Sequence, residues 1–195
     1  LEGDGSMPAA FPAGPYTTHE GYLSIVETRP HTDRWGGRIS LDNGSNFDDI
    51  TSLSGRLRLD TTDRFGIDSE WVWLHERLSP NNDNLVRGDA NIVYRFAQSE
   101  RAQFHSGIGF NWLAGSGDPD FGFNFTYGAD FFPADPLIFS STLDLGTLGH
   151  SSLVHFRSTV GLKVLKQLHL YSGYDLLNFN GKSIHSLVSG IEFWF

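Results

Sequence analysis

The chain ends on the stretch SIHSLVSGIEFWF, residues 183–195. Within it, apolar side chains recur with a period of two at Leu187, Ile191, Phe193 and Phe195. Successive side chains of a β-strand point to opposite faces, so this period places the four residues on one face. The stretch therefore predicts that the chain ends on an amphipathic strand.

This ending resembles the last strand of bacterial outer-membrane β-barrels, where the barrel assembly machinery reads a terminal aromatic residue and the apolar residues before it. In that family the signal runs polar, any, Gly, any, any, apolar, any, aromatic. Gly190, Phe193 and Phe195 match it, whereas Val188 stands where a polar residue is usual. The resemblance implies a bacterial outer-membrane location, with outer-membrane lipids and the barrel assembly machinery as partners.

The composition fits one domain and argues against some functional classes. The chain has 195 residues, of which 39% are hydrophobic, a size that suits a single domain. It contains no run of about 18 apolar residues, so no transmembrane helix is predicted. The net charge is −9, which argues against a nucleic-acid surface because such a surface needs a basic stripe. With no cysteine the chain forms no disulfide.

The chain divides near residue 34. Residues 1–34 are rich in Pro, Gly and Thr and carry one short apolar segment at 22–26. We expect a periplasmic N-terminal arm or linker that contacts other envelope proteins; plugging the barrel lumen or adding a strand are alternatives. Residues 1–10 lack the basic start and apolar stretch of a signal peptide, so we expect a mature form or a fragment.

Regular alternation begins at Trp35. It predicts that residues 35–195 form an all-β, antiparallel up-and-down transmembrane β-barrel of about ten strands, with eight or twelve as alternatives. Most of the segments reach the roughly 9–11 residues that a tilted strand needs to cross a bilayer. We place the strands near 36–42, 52–60, 64–76, 84–96, 101–113, 120–132, 137–146, 151–164, 167–177 and 183–195.

The predicted connections alternate in length, as in outer-membrane barrels. Tight turns are expected at Thr61–Asp63, Gln98–Glu100, Pro133–Pro136 and Leu165–Lys166. Longer loops are expected at Asn43–Asn46, Ser79–Asp83, Gly115–Pro119, Gly146–His150 and Asn178–Lys182. A C-terminus in the periplasm places the tight turns there, and an even strand count places the N-terminus on the same side.

Charged residues within the predicted strands share the parity of the polar face, and none shares the apolar parity. A charge on the lipid face at mid-bilayer costs about 2–4 kcal/mol, so lipid would impose this exclusion. A soluble barrel also alternates, but its solvated face would favour lysine over the glycine found here. We predict a lumen charge network of Arg56, Arg58, Asp68, Glu70, Arg87, Asp89, Arg95, Asp130, Asp144, Arg157, Lys163, Asp175 and Glu192.

Aromatic residues collect near the predicted strand ends. Two such girdles are expected where a barrel meets the two membrane interfaces. The girdle nearer the longer loops is predicted to contain Trp71, Trp73, Trp112 and Tyr174. The girdle nearer the tight turns is predicted to contain Phe131 together with Phe65, Tyr94, Phe96, Phe104 and Phe195.

The predicted lumen supports two interpretations. Buried charges need partners, so its arginines and carboxylates predict salt bridges that occlude the barrel; the alternative is a narrow polar path for ions or small solutes. Four histidines are expected to point inward: His105, His155, His169 and His185. They form no His-x-His pair, so we predict no metal site, and nothing in the sequence indicates a cofactor.

An enzyme is a further alternative. Omptin-like proteases are ten-stranded barrels with an Asp–His pair, but no Asp-x-His occurs here. Lipid A deacylases use a His-x-Ser pair with an acidic partner, and 150–152 offers that spacing. The outward neighbours Leu145 and Leu176 supply no carboxylate to orient His150, so no catalytic residue is predicted. The sequence favours a structural or anchoring barrel, with a channel and a lipid-modifying enzyme or protease as alternatives.

Overall fold

Ten antiparallel strands close into a barrel in the computed structural model, which describes residues 9–17, 20–25, 33–76, 83–115 and 117–195. Within these ranges, no helix is long and apolar enough to cross a membrane. The strands are β1 (Trp35–Ser45), β2 (Ile50–Thr61), β3 (Phe65–Glu76), β4 (Asp83–Gln98), β5 (Ala102–Ala114), β6 (Asp120–Ala134), β7 (Leu137–Leu148), β8 (Ser151–Lys163), β9 (Leu168–Phe179) and β10 (Lys182–Trp194).

Each strand pairs with its sequence neighbours, and β1 pairs with β10 to close the sheet. The closing register runs from Arg38 opposite Trp194 to Ser45 opposite Leu187. Closure leaves no free sheet edge. A lipid environment requires this, because lipid offers no hydrogen-bonding partners to unpaired backbone groups. The predicted fold class and the count of ten strands are confirmed.

The predicted end of the first strand is wrong, because β1 continues past residue 42 to Ser45. The stretch Asn43–Ser45 belongs to the predicted longer loop Asn43–Asn46, yet it pairs with both β2 and β10. Gly44 fits there because an added Cβ would lie 2.4 Å from the Ser52 hydroxyl. Pairing with strands on both sides therefore keeps this segment in a β-strand, although its residue types favour turns.

Two of the predicted longer loops are also wrong. In place of Gly146–His150 and Asn178–Lys182, the strands continue into two-residue connections at 149–150 and 180–181. Asn180 and Gly181 have φ angles of 49° and 82°, as the type I′ hairpin turn requires. The predicted loop Ser79–Asp83 lies outside the described residues except for Asp83, the first residue of β4.

The two ends of the barrel are named here by their connections. The turn side carries residues 62–64, 99–101, 135–136 and 164–167 together with the start of β1 and the end of β10. The loop side carries the other connections. Residues 9–17 and 20–25, called the N-terminal segment, pack into the turn side, so the described part of the predicted arm lies against the barrel.

The outer surface is an apolar belt. Ile92, Ile108 and Phe121 are 66%, 60% and 60% exposed and face outward. Soluble monomers rarely expose a continuous apolar surface of this kind. The inward positions carry polar and charged side chains, so the barrel is inverted relative to a soluble protein and suits a lipid surrounding.

Aromatic rings contact one another at both ends of this belt. On the loop side, the rings of Trp71 and Trp112 lie 6.5 Å apart. Gly88 makes room for them, since an added Cβ would lie 2.3 Å from Trp112. Trp73 and Tyr174 are also exposed near this end. Turn-side contacts join Phe65 with Tyr94, Phe104 with Phe131, and Trp35 with Phe195.

Candidate functional site: the charged lumen

Within the described part of the chain, strand alternation places six arginines and nine carboxylates in the lumen. Such charges are tolerated away from water only when they are paired and hydrogen-bonded. The lumenal residues are Arg38, Arg56, Arg58, Arg87, Arg95, Arg157, Asp42, Asp60, Asp68, Glu70, Asp89, Asp130, Asp144, Asp175 and Glu192. Arg38, Asp42 and Asp60, whose strand parity also indicates an inward position, complete the network.

Glu70 and Arg157 connect opposite walls of the barrel. Glu70 lies on β3 and Arg157 on β8, and Arg157 Nη1 lies 3.3 Å from Glu70 Oε1. Arg157 also reaches Asp42 on β1 at 2.6 Å and Asp175 on β9 at 3.2 Å. One guanidinium thus links four strands across the lumen.

Glu70 is the common acceptor at this level of the lumen. Arg56 Nε donates to its carboxylate at 2.8 Å, and Arg87 Nη2 lies 3.4 Å from its other oxygen. Three guanidinium groups therefore converge on one buried carboxylate. Because charge-assisted bonds are the stronger class of hydrogen bond, Glu70 holds side chains from β2, β4 and β8 together.

A second pair crosses the lumen nearer the turn side. Arg38 on β1 donates to Asp130 on β6 at 2.9 Å. Glu192 lies 3.7 Å from Arg38 and accepts a hydrogen bond from Trp194 Nε1 at 2.7 Å. Gln103 donates to the other oxygen of Asp130 at 2.9 Å. The Arg38–Asp130 pair therefore forms a second bridge across the lumen, separate from the Glu70–Arg157 pair.

A third group of charges lies on β2, β3 and β4. Arg58 donates twice to Asp60, at 2.8 and 3.0 Å, and also pairs with Asp68 at 3.1 Å. The Arg95 guanidinium lies 3.2 Å from Asp60 and is fully buried. Asp89 accepts a hydrogen bond from Asn91 at 2.8 Å. These contacts line one wall of the lumen rather than crossing it.

Lys163, also predicted in the network, lies at the turn-side rim. Its Nζ is 2.5 Å from the carboxylate of Asp135 in the β6–β7 connection. The ammonium also lies 5.2 Å from the ring centre of Tyr16. Lys163 therefore contacts the N-terminal segment rather than the central charges.

His155 is embedded between two carboxylates. Its Nδ1 lies 3.1 Å from Asp144 and its Nε2 lies 3.0 Å from Asp175. Only the imidazolium can donate from both ring nitrogens, so this geometry fits a cationic side chain. Among the described residues, no group of three or more potential ligands is arranged to hold a metal ion.

His105 and His169 are buried inside the barrel as expected, but the inward prediction for His185 is wrong. His185 shares the outward parity of Leu187 and lies on the outer face. Its Nδ1 is 2.5 Å from the Tyr174 hydroxyl. The polar character of His185 suggests an inward position, but its place in the strand alternation puts it outward.

Two cavities lie within the network. A cavity of about 60 Å³ lies between the charged groups, with Arg56, Asp144 and His169 in its wall. A second cavity of about 20 Å³ lies nearer the loop side, and Arg157 borders both. Since a water needs roughly 10–15 Å³ of such space, the larger cavity holds only a few waters and the smaller about one.

Comparisons with known proteins identify the fold. No family model matches the chain, and no curated protein matches it. The porin NanC is 9% identical in sequence, with 80% of this chain and 98% of that chain covered at a TM-score of 0.54. The porin KdgM is 14% identical, with 81% and 99% covered at a TM-score of 0.48. The chain has the fold of an outer-membrane β-barrel. This fold, together with the apolar belt, confirms the predicted outer-membrane location.

The loop side of this outer-membrane barrel carries a cluster of apolar residues that sequence reasoning missed. Leu148, Leu153 and Leu177 are buried there. Leu113, Phe179 and Ile184 pack against them. Leu153 and Leu177 stood at predicted strand ends with inward parity, a signal that could have identified this loop-side cluster.

The turn side of the outer-membrane barrel carries an apolar cluster that combines strand residues with residues of the N-terminal segment. Phe132, Ile138 and Trp194 replace polar side chains at inward positions of β6, β7 and β10. Phe11 and Tyr22 of the N-terminal segment pack on them, and the cluster is completed by Ala9, Leu23 and Ile25. Burial raises the pKa of the Tyr22 phenol above its usual range, so Tyr22 stays neutral in the cluster.

Proposed function

We propose that this protein is a closed outer-membrane barrel that serves as a structural or anchoring component of the envelope. The observation that carries the proposal is the Glu70–Arg157 pair, which joins opposite walls of the lumen at 3.3 Å. A pore needs a continuous aqueous path, and a side-chain bridge of this kind interrupts it. The barrel would then contribute its outer surface and its position in the membrane.

The closures at the two ends support the same proposal. A solute entering from the loop side would meet Leu148, Leu153 and Leu177. From the turn side it would meet Phe11 and Tyr22. Apolar constrictions resist wetting and oppose ion passage, so three barriers stand in series.

A liposome-swelling assay tests this proposal. Vesicles that contain the purified protein are placed in an iso-osmotic solution of a small sugar, beside vesicles with a general porin. The closed barrel predicts no swelling above protein-free vesicles. Swelling at a rate approaching that of the porin would overturn the proposal.

A narrow channel is the second candidate, and one observation favours it. Arg157 borders both cavities, so movement of this one side chain would join them into a longer polar path. The excess of carboxylates over arginines in the lumen would then favour cations. Sugar exclusion combined with cation-selective current would support this candidate.

Two partner assignments belong to the same proposal. Gly190, Phe193 and Phe195 would be read by the barrel assembly machinery during insertion. Other envelope proteins would bind the N-terminal region on the turn side. A pull-down from solubilised envelopes, performed with the full chain and with a variant lacking residues 1–34, tests the second assignment. Identical recovery of partners would count against it.

A further inference from the structure

We infer that the N-terminal segment, residues 9–17 and 20–25, acts as a displaceable plug that controls access to the lumen cavity from the turn side. The first reason is the character of the surface on which they lie. Phe132, Ile138 and Trp194 are 1%, 3% and 2% exposed and face inward. At a water-filled mouth these three would be wetted, so their placement fits a site built to receive apolar side chains.

The N-terminal segment supplies matching side chains. The ring of Tyr22 lies 4.5 Å from that of Trp194 and 5.9 Å from that of Phe132. The ring of Phe11 packs against that of Tyr22 at 5.9 Å in a tilted arrangement, and the guanidinium of Arg95 lies 5.2 Å from the Phe11 ring. Aromatic pairs and cation–π contacts of this kind give a specific, side-chain-defined fit.

The segment spans the mouth of the barrel. Tyr22 N donates to Glu100 O in the β4–β5 turn at 3.0 Å. On the other side, an added Cβ at Gly14 would lie 2.6 Å from Lys166 O in the β8–β9 turn. Between them, the Tyr16 hydroxyl donates to Leu137 O at 2.5 Å. Turns from different parts of the rim are therefore bridged.

The plug can leave without opening the sheet. Among the described residues, its isolated bridges pair Ala10 with Ser24 and Phe11 with Asp33, all outside the barrel strands. The barrel itself is closed by β1 and β10. Displacement therefore costs side-chain contacts and a few hydrogen bonds but no strand ladder, and local openings of this kind cost less than global unfolding.

The 60 Å³ cavity lies directly behind the plug. Ile138 belongs both to the turn-side cluster and to the cavity wall. Arg38, Glu192 and His169 line the same cavity. Release of the N-terminal segment would therefore expose charged groups of the lumen to the turn side while the Glu70–Arg157 bridge stayed in place.

Thiol labelling tests the plug directly, because the chain contains no cysteine. Thr159→Cys places one thiol in the cavity wall. The displacing change is Gly21→Val, since an added Cβ there would lie 1.9 Å from Glu100 O. Gly117→Val is the matched control, because Gly117 has nothing within 4 Å. Labelling with methyl methanethiosulfonate is followed by mass spectrometry.

The plug predicts slow labelling of Thr159→Cys alone and of Thr159→Cys with Gly117→Val. Adding Gly21→Val should raise the rate about tenfold or more, because a local opening becomes populated. A Phe11→Ala and Tyr22→Ala pair should act in the same direction without a backbone clash. Equal rates in all four proteins, or fast labelling of Thr159→Cys alone, would overturn the inference. The labelling rate reports access of the reagent to the cavity and does not depend on whether sugars or ions cross the barrel, so this test can fail separately from the proposed function.

Discussion

Glu70 and Arg157 form an ion pair at 3.3 Å although four strands separate them in either direction around the sheet. One path runs through β4, β5, β6 and β7, and the other through β9, β10, β1 and β2. Arg38 and Asp130 are separated in the same way and meet at 2.9 Å. The lumen is therefore bridged between opposite walls at two levels.

The bridge predicts a strong energetic coupling. Glu70→Gln and Arg157→Gln should each destabilise the barrel by about 3–5 kcal/mol, because each removes one charge from a buried network of ion pairs. The double variant should cost clearly less than the sum of the two. Urea-induced unfolding in lipid vesicles measures the three free energies of unfolding. Strict additivity would show that the two residues do not interact.

The outer belt predicts a depth-dependent penalty for charge. Ile108 is 60% exposed near the middle of β5, so Ile108→Arg should destabilise the folded barrel in lipid by about 2–4 kcal/mol. Gly117→Arg, in the β5–β6 loop, is the control and should change little. The free energy of unfolding in vesicles is the readout. A neutral Ile108→Arg would mean that this surface does not face lipid.

Gly88 predicts a steric effect on the loop-side girdle. An added Cβ would lie 2.3 Å from Trp112 and 2.4 Å from Glu70 O, so Gly88→Ala should destabilise the barrel by about 1–3 kcal/mol. Tryptophan fluorescence should shift as Trp112 moves away from Trp71. Gly55→Ala, with nothing within 4 Å, is the control. Matching spectra and stabilities for the two variants would contradict the packing described for Gly88.

The tyrosines of the N-terminal segment predict a response to alkaline pH. Burial and the nearby Asp135 raise the pKa of Tyr16 to about 12, and burial also raises the pKa of Tyr22. Both phenols are neutral in the docked segment, so docking is fully stable below the ordinary tyrosine pKa of about 10 and weakens as pH rises above it. Tyrosinate absorbance should appear at lower pH in Gly21→Val than in Gly117→Val. Superimposable titration curves would contradict the buried positions.

Most of the barrel could be predicted from the sequence because a lipid environment restricts which residue types can occupy the outer face. A charge on the outer face is costly at every strand, so parity alone assigned Arg56, Glu70 and Arg157 to the lumen before any contact was known. Connection lengths were harder, because Asn180 and Gly181 were interpreted as part of a loop although they specify a two-residue hairpin. His185 shows that residue type can mislead where position in the alternation decides.

The partners of the lumenal charges and the packing at the two ends of the barrel could not be predicted from strand parity. Strand parity predicts that Arg157 points inward. Its pairing with Glu70 on the opposite wall depends on the barrel diameter and the strand register. The packing of Phe11 and Tyr22 depends on contacts with Phe132 and Trp194, more than a hundred residues away in sequence. Nothing in the local pattern of residues 1–34 encodes that contact.

Single-channel recording in planar bilayers tests the closed lumen most directly. The wild-type protein, inserted and shown to be folded by heat-modifiable migration on a gel, should give no resolvable openings. A double Glu70→Ala and Arg157→Ala variant, combined with Gly21→Val, removes the central bridge and displaces the plug, and should raise the frequency of openings. Steady openings of the wild-type protein would contradict the account.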